Sequence, residues 1–258
     1  MPYDDLGTLV PLSHPPQRVV SLVPSLTEAI AAEHRDVLVG ATQWCTHPGD
    51  LAVPRFRGTK NPDVKALIAA APELIVANRE ENRELDVRRL RAAGLPVWVT
   101  RIENLEQAFA SLKRLFTVAL GVPAPEWLSQ AQQIWTRPGG TMLRVVTAIW
   151  RDPWMVVGQP TFTSDLLARL GAYNPFGGAS SRYPHTTPAE ILARRPDLVL
   201  LPDEPYRFGP SDGPEMFPDQ LTALISGRLL TWYGPSLVTA RGEIVAIMQQ
   251  LRGRERTR

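Results

Sequence analysis

Two stretches far apart in the chain read alike. Residues 72–82, PELIVANREEN, and residues 196–206, PDLVLLPDEPY, each pass from a proline and an acid into an apolar run that stops on acidic, polar residues. The likeness extends upstream, where LIAAA (67–71) precedes the first copy and ILARR (191–195) the second. A short apolar run without alternation, bounded by turn residues, fits a strand buried on both faces, which is the habit of parallel sheets covered by helices. Helix, proline turn, buried strand and polar stop, occurring twice, constrains the chain to an α/β architecture built in two parts.

The rest of the sequence fills in both parts. Strands are expected at 18–23, 37–42, 74–77 and 96–100, and a helix at 86–93 ends at Gly94. Ser25-Leu-Thr-Glu28 has the spacing of a capping box at the start of the first helix. Leu105, Phe109, Leu112, Phe116 and Ala119 recur at helical spacing. After the breaker Gly121-Val-Pro123-Ala-Pro125, a helix over 126–135 runs to the stop at 137–140. The βα pattern then restarts, with strands at 143–149, 154–157 and 197–201, a helix over 162–170 before Gly171, and a closing helix through Leu237, Ile244, Met248 and Leu251. The expected organisation is an N-terminal α/β lobe over 1–122, a bridging helix over 123–138 and a C-terminal α/β lobe over 139–258. These are two Rossmann-like lobes with parallel sheets joined by a single helix, with a ligand cleft between the lobes.

At 258 residues, 44% hydrophobic and 21% charged, the composition is globular, and a net charge of +2 gives no footprint for nucleic acid. The basic tail from Arg252 to Arg258 is expected to be a solvated terminus. A lone cysteine, Cys45, forbids an intrachain disulfide, and the two aspartates near Met1 do not resemble a secretory leader. No segment has the length and apolarity of a membrane span. The expected location is cytoplasmic and the expected state monomeric.

In open α/β sheets ligands bind outside the carboxyl ends of the strands, so residues at those ends are the candidates. Aromatic residues gather there: Trp44, Trp150, Trp154, Tyr183, Tyr206, Trp232 and Tyr233. Flat aromatic faces in loops suit a flat ligand, although each of these rings could equally be core. Glu80 and Glu204 mark the two polar stops. Cys45 and His47, with His185 elsewhere, carry soft donors that would reach a metal. Two ligands in one loop do not close a site, and the expected reading is a buried cysteine and a backbone-bonded histidine. Gly58-Thr-Lys-Asn-Pro62 lacks phosphate-loop spacing, and no nucleophile elbow, zinc helix or dinucleotide turn is present, so no catalytic residue is assigned.

Together these residues resemble a family. Arg18-Val-Val-Ser-Leu-Val-Pro-Ser-Leu-Thr-Glu28 and Gly58-Thr-Lys-Asn-Pro-Asp63, followed by 71–77, are similar to the class III substrate-binding proteins that carry cobalamin, haem and iron–siderophores. Trp44-Cys-Thr-His-Pro48, Ala77-Asn-Arg-Glu-Glu-Asn82, Glu204-Pro-Tyr206 and Trp232-Tyr-Gly234 resemble its signal-less branch of helical-backbone metal receptors. The resemblance implies a two-lobed fold and a small-molecule metal chelate as ligand, with no required cofactor. It implies aromatic stacking by Trp44, Trp150, Trp154 and Tyr206, and contacts from Arg79, Arg151 and Arg182 to rim carboxylates or amides. Transport members present one glutamate per lobe to an ABC permease. Here those positions align with Lys65 and with Gly234-Pro235, so docking to a permease is not expected. The alternatives are an importer component whose leader is missing, and a metal chelatase or corrinoid-modifying enzyme.

Overall fold

A computed structural model describes residues 1–137, 139–140 and 142–255, with side chains described to residue 249. Pro138 of the expected helix stop and the last three residues of the basic tail lie outside the described residues. The chain forms two compact units. Unit 1 comprises Met1–Ile102, Glu106–Gln130 and Tyr233–Pro235, and unit 2 comprises Glu103–Leu105, Ala131–Trp232 and the chain from Ser236 onward.

Unit 1 is built on four parallel strands: β1 (Val19–Ser21), β2 (Leu38–Ala41), β3 (Leu74–Asn78) and β4 (Val97–Thr100), in the order β2-β1-β3-β4. Its helices are α1 (Pro24–His34), α2 (Val64–Ala70), α3 (Glu84–Ala92) and most of α4 (Leu105–Arg114), which continues as a π-helical segment over Leu115–Leu120. Every residue of β1, β3 and β4 is buried, as an unalternating apolar run requires. The chain moves outward from β1 to β2 and then crosses over to β3, so the order reverses between β1 and β3. That reversal creates a crevice at their carboxyl ends.

One sequence expectation fails here. The Ser25–Glu28 pair is not a capping box: Val23 is the N-cap, no side chain caps the helix, and Pro24 occupies its first turn. Proline has no N–H to satisfy and its fixed φ suits the first helical position. The helix therefore begins two residues early and carries Ser25 and Glu28 inward as buried side chains. The observed capping box is elsewhere, in α7 (Pro188–Ala193), where Thr187 Oγ1 accepts from the Glu190 amide at 3.2 Å and Glu190 Oε2 accepts from the Thr187 amide at 2.9 Å.

Unit 2 repeats the plan with changes. The strands β5 (Leu143–Trp150), β8 (Leu198–Pro202) and β9 (Thr222–Ile225) are parallel neighbours. The strand expected at 154–157 is the two-residue β6 (Met155–Val156), which pairs antiparallel with the end of β5. Arg151-Asp152-Pro153 is the turn that reverses the chain and makes this a hairpin. A short β7 (Ala172–Tyr173) pairs with the start of β5, and the helices are α6 (Phe162–Arg169), α7, α8 (Gly227–Thr231) and α9 (Leu237–Glu255). The helix α5 (Glu126–Trp135) has its first half in unit 1 and its second half in unit 2. Accordingly Trp127 meets Phe116 edge-on at 6.2 Å in unit 1, and Trp135 Nε1 donates to the Leu237 carbonyl at 2.9 Å in unit 2.

The sequence echo is a structural repeat. β3 and β8 are each buried throughout, and each lies between the first strand of its unit and the strand that follows it. The residue before each proline, Ala71 and Arg195, is left-handed, with φ of 43° and 49°. Past the proline, the acid turns back onto the neighbouring strand. Glu73 Oε2 accepts from the Gln17 amide at 2.5 Å, and Asp197 Oδ2 accepts from the Arg144 amide at 2.6 Å. The arginine that opens each first strand reaches the end of the preceding helix: Arg18 Nη2 to the Ala70 carbonyl at 3.0 Å, and Arg144 Nη2 to the Arg194 carbonyl at 2.6 Å. Each unit thus carries the same latch at the amino end of its central strands.

Candidate functional site

The polar stops of the echo lie at the carboxyl ends of the sheets. In unit 1, Asn78 ends β3 and is buried. Its Oδ1 accepts from the amides of Glu80 at 2.8 Å and Glu81 at 3.3 Å, while its Nδ2 donates to Thr100 Oγ1 at 3.0 Å. Asn82 closes the turn: its Oδ1 accepts from the Asn78 amide at 2.8 Å and its Nδ2 donates to the Thr59 carbonyl at 2.9 Å. Asparagine is suited to such a turn because its short amide can satisfy backbone groups two to four residues away. Lys60 Nζ donates to the Glu80 carbonyl. Glu80 and Glu81 are thereby held half-buried at the crevice between β1 and β3, and Tyr233 donates its hydroxyl to Glu81 Oε1 at 3.2 Å. Burial, followed by the neighbouring Glu81 carboxylate, pushes the Tyr233 hydroxyl well above its usual range, so it stays a neutral donor.

The loop after β2 is divided. Trp44 is 58% exposed, whereas Cys45 is only 1% exposed. Cys45 Sγ lies 3.0 Å from Thr27 Oγ1 and 3.2 Å from Thr42 Oγ1. Burial pushes this thiol up and the two threonine hydroxyls pull only partly against it, so it is a neutral thiol at physiological pH. Native protein is expected to resist alkylation at pH 8 and to label fully once denatured. Rapid native labelling would show instead that the thiol is reachable and ionised.

In unit 2 the loop after β5 meets the loop after β8. Trp150, 43% exposed, packs edge-to-face on Tyr206 with ring centres 5.6 Å apart. Tyr206 donates to Asp212 Oδ2 at 2.8 Å. Asp212 Oδ1 in turn takes a hydrogen bond from Arg151 Nη1, which also pairs with Glu215 Oε1 at 2.5 Å. Asp203 Oδ1 accepts from the Gly227 amide at 2.7 Å, and Thr231 Oγ1 lies 3.5 Å from Glu204 Oε1. Burial raises the Glu204 carboxyl, with a hydrogen bond from Trp232 acting against it.

The sequence candidates therefore separate. Trp44, Arg79, Glu80, Trp150, Tyr183, Glu204 and Tyr206 are exposed or half-buried at or near strand ends. Trp154 is not: at 5% exposure it stacks on Phe208 at 5.6 Å, meets Phe217 edge-to-face at 5.4 Å and has the Arg151 guanidinium 5.9 Å from its ring centre, so it is packed into the hydrophobic core. Trp232 and Tyr233, each 4% exposed, are likewise packed inside. Two arginines expected to greet a ligand already have carboxylate partners, Arg151 with Asp212 and Glu215, and Arg182 with Glu103 at 3.5 Å. His47 and His185 are exposed, and among the described residues no group of three or more His, Cys, Asp or Glu side chains is placed to hold a metal ion. Neither Cys45 and His47 nor His185 belongs to such a group among the described residues. Gly234, aligned with a docking glutamate, is buried, and a Cβ there would stand 3.2 Å from the Ser25 carbonyl and 3.4 Å from Glu28 Oε2. It is not a surface position.

Reading the sequence missed Asn78, Asn82, Asp212 and Glu215. Asn78 and Asn82 had a signal, since asparagines spaced four apart beyond a buried strand are a turn signature. The acids had none, because Asp212 meets Arg151 across 61 residues of sequence. Two shallow concavities, about 290 Å³ beside Asp5, Arg101 and Arg114 and about 390 Å³ beside Met142, Arg144 and Tyr173, contain none of the predicted ligand residues.

No family model matches the chain. Among curated proteins, a vitamin B12-binding protein of Pectobacterium atrosepticum is 23% identical over 256 residues, covering 92% of this chain and 90% of that one. Among solved structures, the periplasmic vitamin B12 binding protein BtuF of Vibrio cholerae superposes with a TM-score of 0.73 at 17% identity, covering 92% of this chain and 98% of the other. The periplasmic heme-binding protein BhuT, solved with two hemes, gives 0.76 at 22% identity and covers 91% and 98%. The chain is similar in sequence and fold to these class III substrate-binding proteins. Like these relatives, the chain has the two-lobed α/β fold, and the relatives themselves are binding proteins, not enzymes. The chelatase alternative is set aside, and vitamin B12 and haem enter as ligands of relatives, not as cofactors.

Proposed function

We propose that this protein binds a flat metal chelate of the tetrapyrrole kind, a cobalamin-like corrinoid being the favoured case, through aromatic residues in strand-end loops. The observation that carries the reading is the exposure of Trp44 and Trp150 at strand ends, where Trp150 already meets Tyr206 edge-to-face. Indole faces left open beside polar turns suit a planar apolar ligand. The relatives named for vitamin B12 and heme support the same ligand class.

Titration with vitamin B12 or haem should quench tryptophan fluorescence. Trp44→Ala and Trp150→Ala should each weaken binding by about 1–3 kcal/mol. Neither ring is a core element, so thermal midpoints should hardly move. Unchanged affinity in both variants would sink the reading.

We also propose that the protein works in the cytosol and does not dock to an ABC permease. What supports this is the absence of any cysteine pair and the position of Lys65, exposed on α2, where a transport member would carry a glutamate. A lysine facing an arginine replaces attraction with repulsion, worth about 1 kcal/mol or less at an exposed site. The protein should leave the ATPase of a cobalamin-type permease at its basal rate, and cell fractionation should find it in the cytosol. Stimulation of that ATPase, or recovery from the periplasm, would favour the importer reading instead.

A further inference from the structure

The segments 151–152 and 203–215 at the strand ends of unit 2 hold five carboxyl groups, those of Asp152, Asp203, Glu204, Asp212 and Glu215, against the two guanidinium groups of Arg151 and Arg207. Of those two, Arg151 is the one anchored beside Trp150 and Tyr206, with its side chain 20% exposed, and it is engaged closely by Asp212 and Glu215 and at 3.6 Å by Asp152. Asp212 does a second task, because its other oxygen holds the Tyr206 hydroxyl that sets the ring against Trp150. The aromatic pair is therefore framed by hydrogen-bond acceptors and by a cation whose charge is already matched.

We propose that this surface selects chelates whose rim carries uncharged amides over chelates whose rim carries carboxylates, with Asp212 and Glu215 as the residues that set the preference. The inference rests on the ligand reading above and names the ligand class within it. A rim amide donates N–H groups to Asp203, Glu204 or the outer lone pairs of Asp212 and loses nothing. A rim carboxylate must enter a field of like charge and compete with Asp212 and Glu215 for Arg151, and like-charge juxtaposition is an effective means of rejection. Hydrogen bonds from Arg151 to Glu215 and Asp212 also hold the guanidinium firmly in its charged form, so it cannot escape the pairing by losing a proton.

The test titrates vitamin B12, whose rim bears amides, and haem, whose rim bears two carboxylates, into three proteins. The parent should prefer vitamin B12 by about tenfold or more. Asp212→Asn with Glu215→Gln keeps an acceptor for Tyr206 while leaving Arg151 only the exposed Asp152 at 3.6 Å, and should narrow that preference about tenfold through a gain in haem affinity. Glu215→Gln alone leaves the Asp212 bonds intact, and should narrow it by an intermediate factor even if the double variant folds poorly. A parent that takes haem as tightly as vitamin B12 overturns the selectivity while leaving the ligand reading intact, as does a preference unmoved in both variants. Binding of neither chelate overturns the ligand reading itself and this inference with it.

Discussion

Trp154→Ala is expected to destabilise the protein by about 3–5 kcal/mol, the range for removing a large aromatic side chain from a packed core. Trp154 is buried against Phe208 and Phe217, in a cluster that also takes in Val146, Val156, Val199 and Leu201. Deleting the indole forfeits its apolar transfer energy and leaves a cavity bordered by aromatic rings that cannot easily collapse. Equilibrium unfolding in urea measures the loss directly. Trp150, four residues earlier, is the control: Trp150→Ala should lie within about 1 kcal/mol of the parent, as expected for an exposed position. Equal stability of the two variants would mean that Trp154 is not the core residue its packing indicates.

Asn78→Ala should be the second large effect, about 2–4 kcal/mol. The side chain makes three hydrogen bonds, to the Glu80 and Glu81 amides and to Thr100 Oγ1. Each is worth about 1 kcal/mol net, and more when the partner is left buried and unsatisfied. Thr100 is fully buried, so its hydroxyl loses a donor that water cannot readily replace. The same variant should weaken ligand binding, because Glu80 and Glu81 would no longer be held in one turn. Urea unfolding and a ligand titration on one preparation test both effects. A stable variant with loose binding would assign Asn78 to ligand positioning alone, and a variant unaffected in both would remove it from the site.

Much of the architecture was legible because it rests on local pattern. Unalternating apolar runs within 74–77 and 197–201 marked buried strands, and Gly94, Gly121 and Gly171 stop their helices with φ of 83°, 70° and 86°, a region that other residues enter at a cost. Another local signal went unread: Arg18-Val-Val-Ser21 and Arg144-Val-Val-Thr147 are the matched openings of the two sheets and carry the two latches. Failures came where one local rule met a stronger one. Pro24 displaced the capping box that Ser25 and Glu28 spell out. β9, only four residues long, and α8 follow a stretch rich in Gly and Pro and gave no periodic signal. The site was harder to read, because exposure is a property of tertiary packing. Trp150 and Trp154 flank one turn, yet one faces solvent and the other fills a core. Pairing of Arg151 with Asp212 and Glu215 depends on a loop more than sixty positions away, and no spacing rule reaches that far.

The paired latches have a consequence for how such a protein can change. Their hydrogen bonds fix strand order from the amino ends, through Glu73 with Gln17 and Asp197 with Arg144, while the proposed ligand residues follow the carboxyl ends of the same strands. Substitutions in the turns beyond Asn78 and Pro202 leave those bonds untouched. One rim is therefore free to drift toward a new cargo while the opposite rim preserves the frame, and the duplication gives evolution two such rims to revise one at a time.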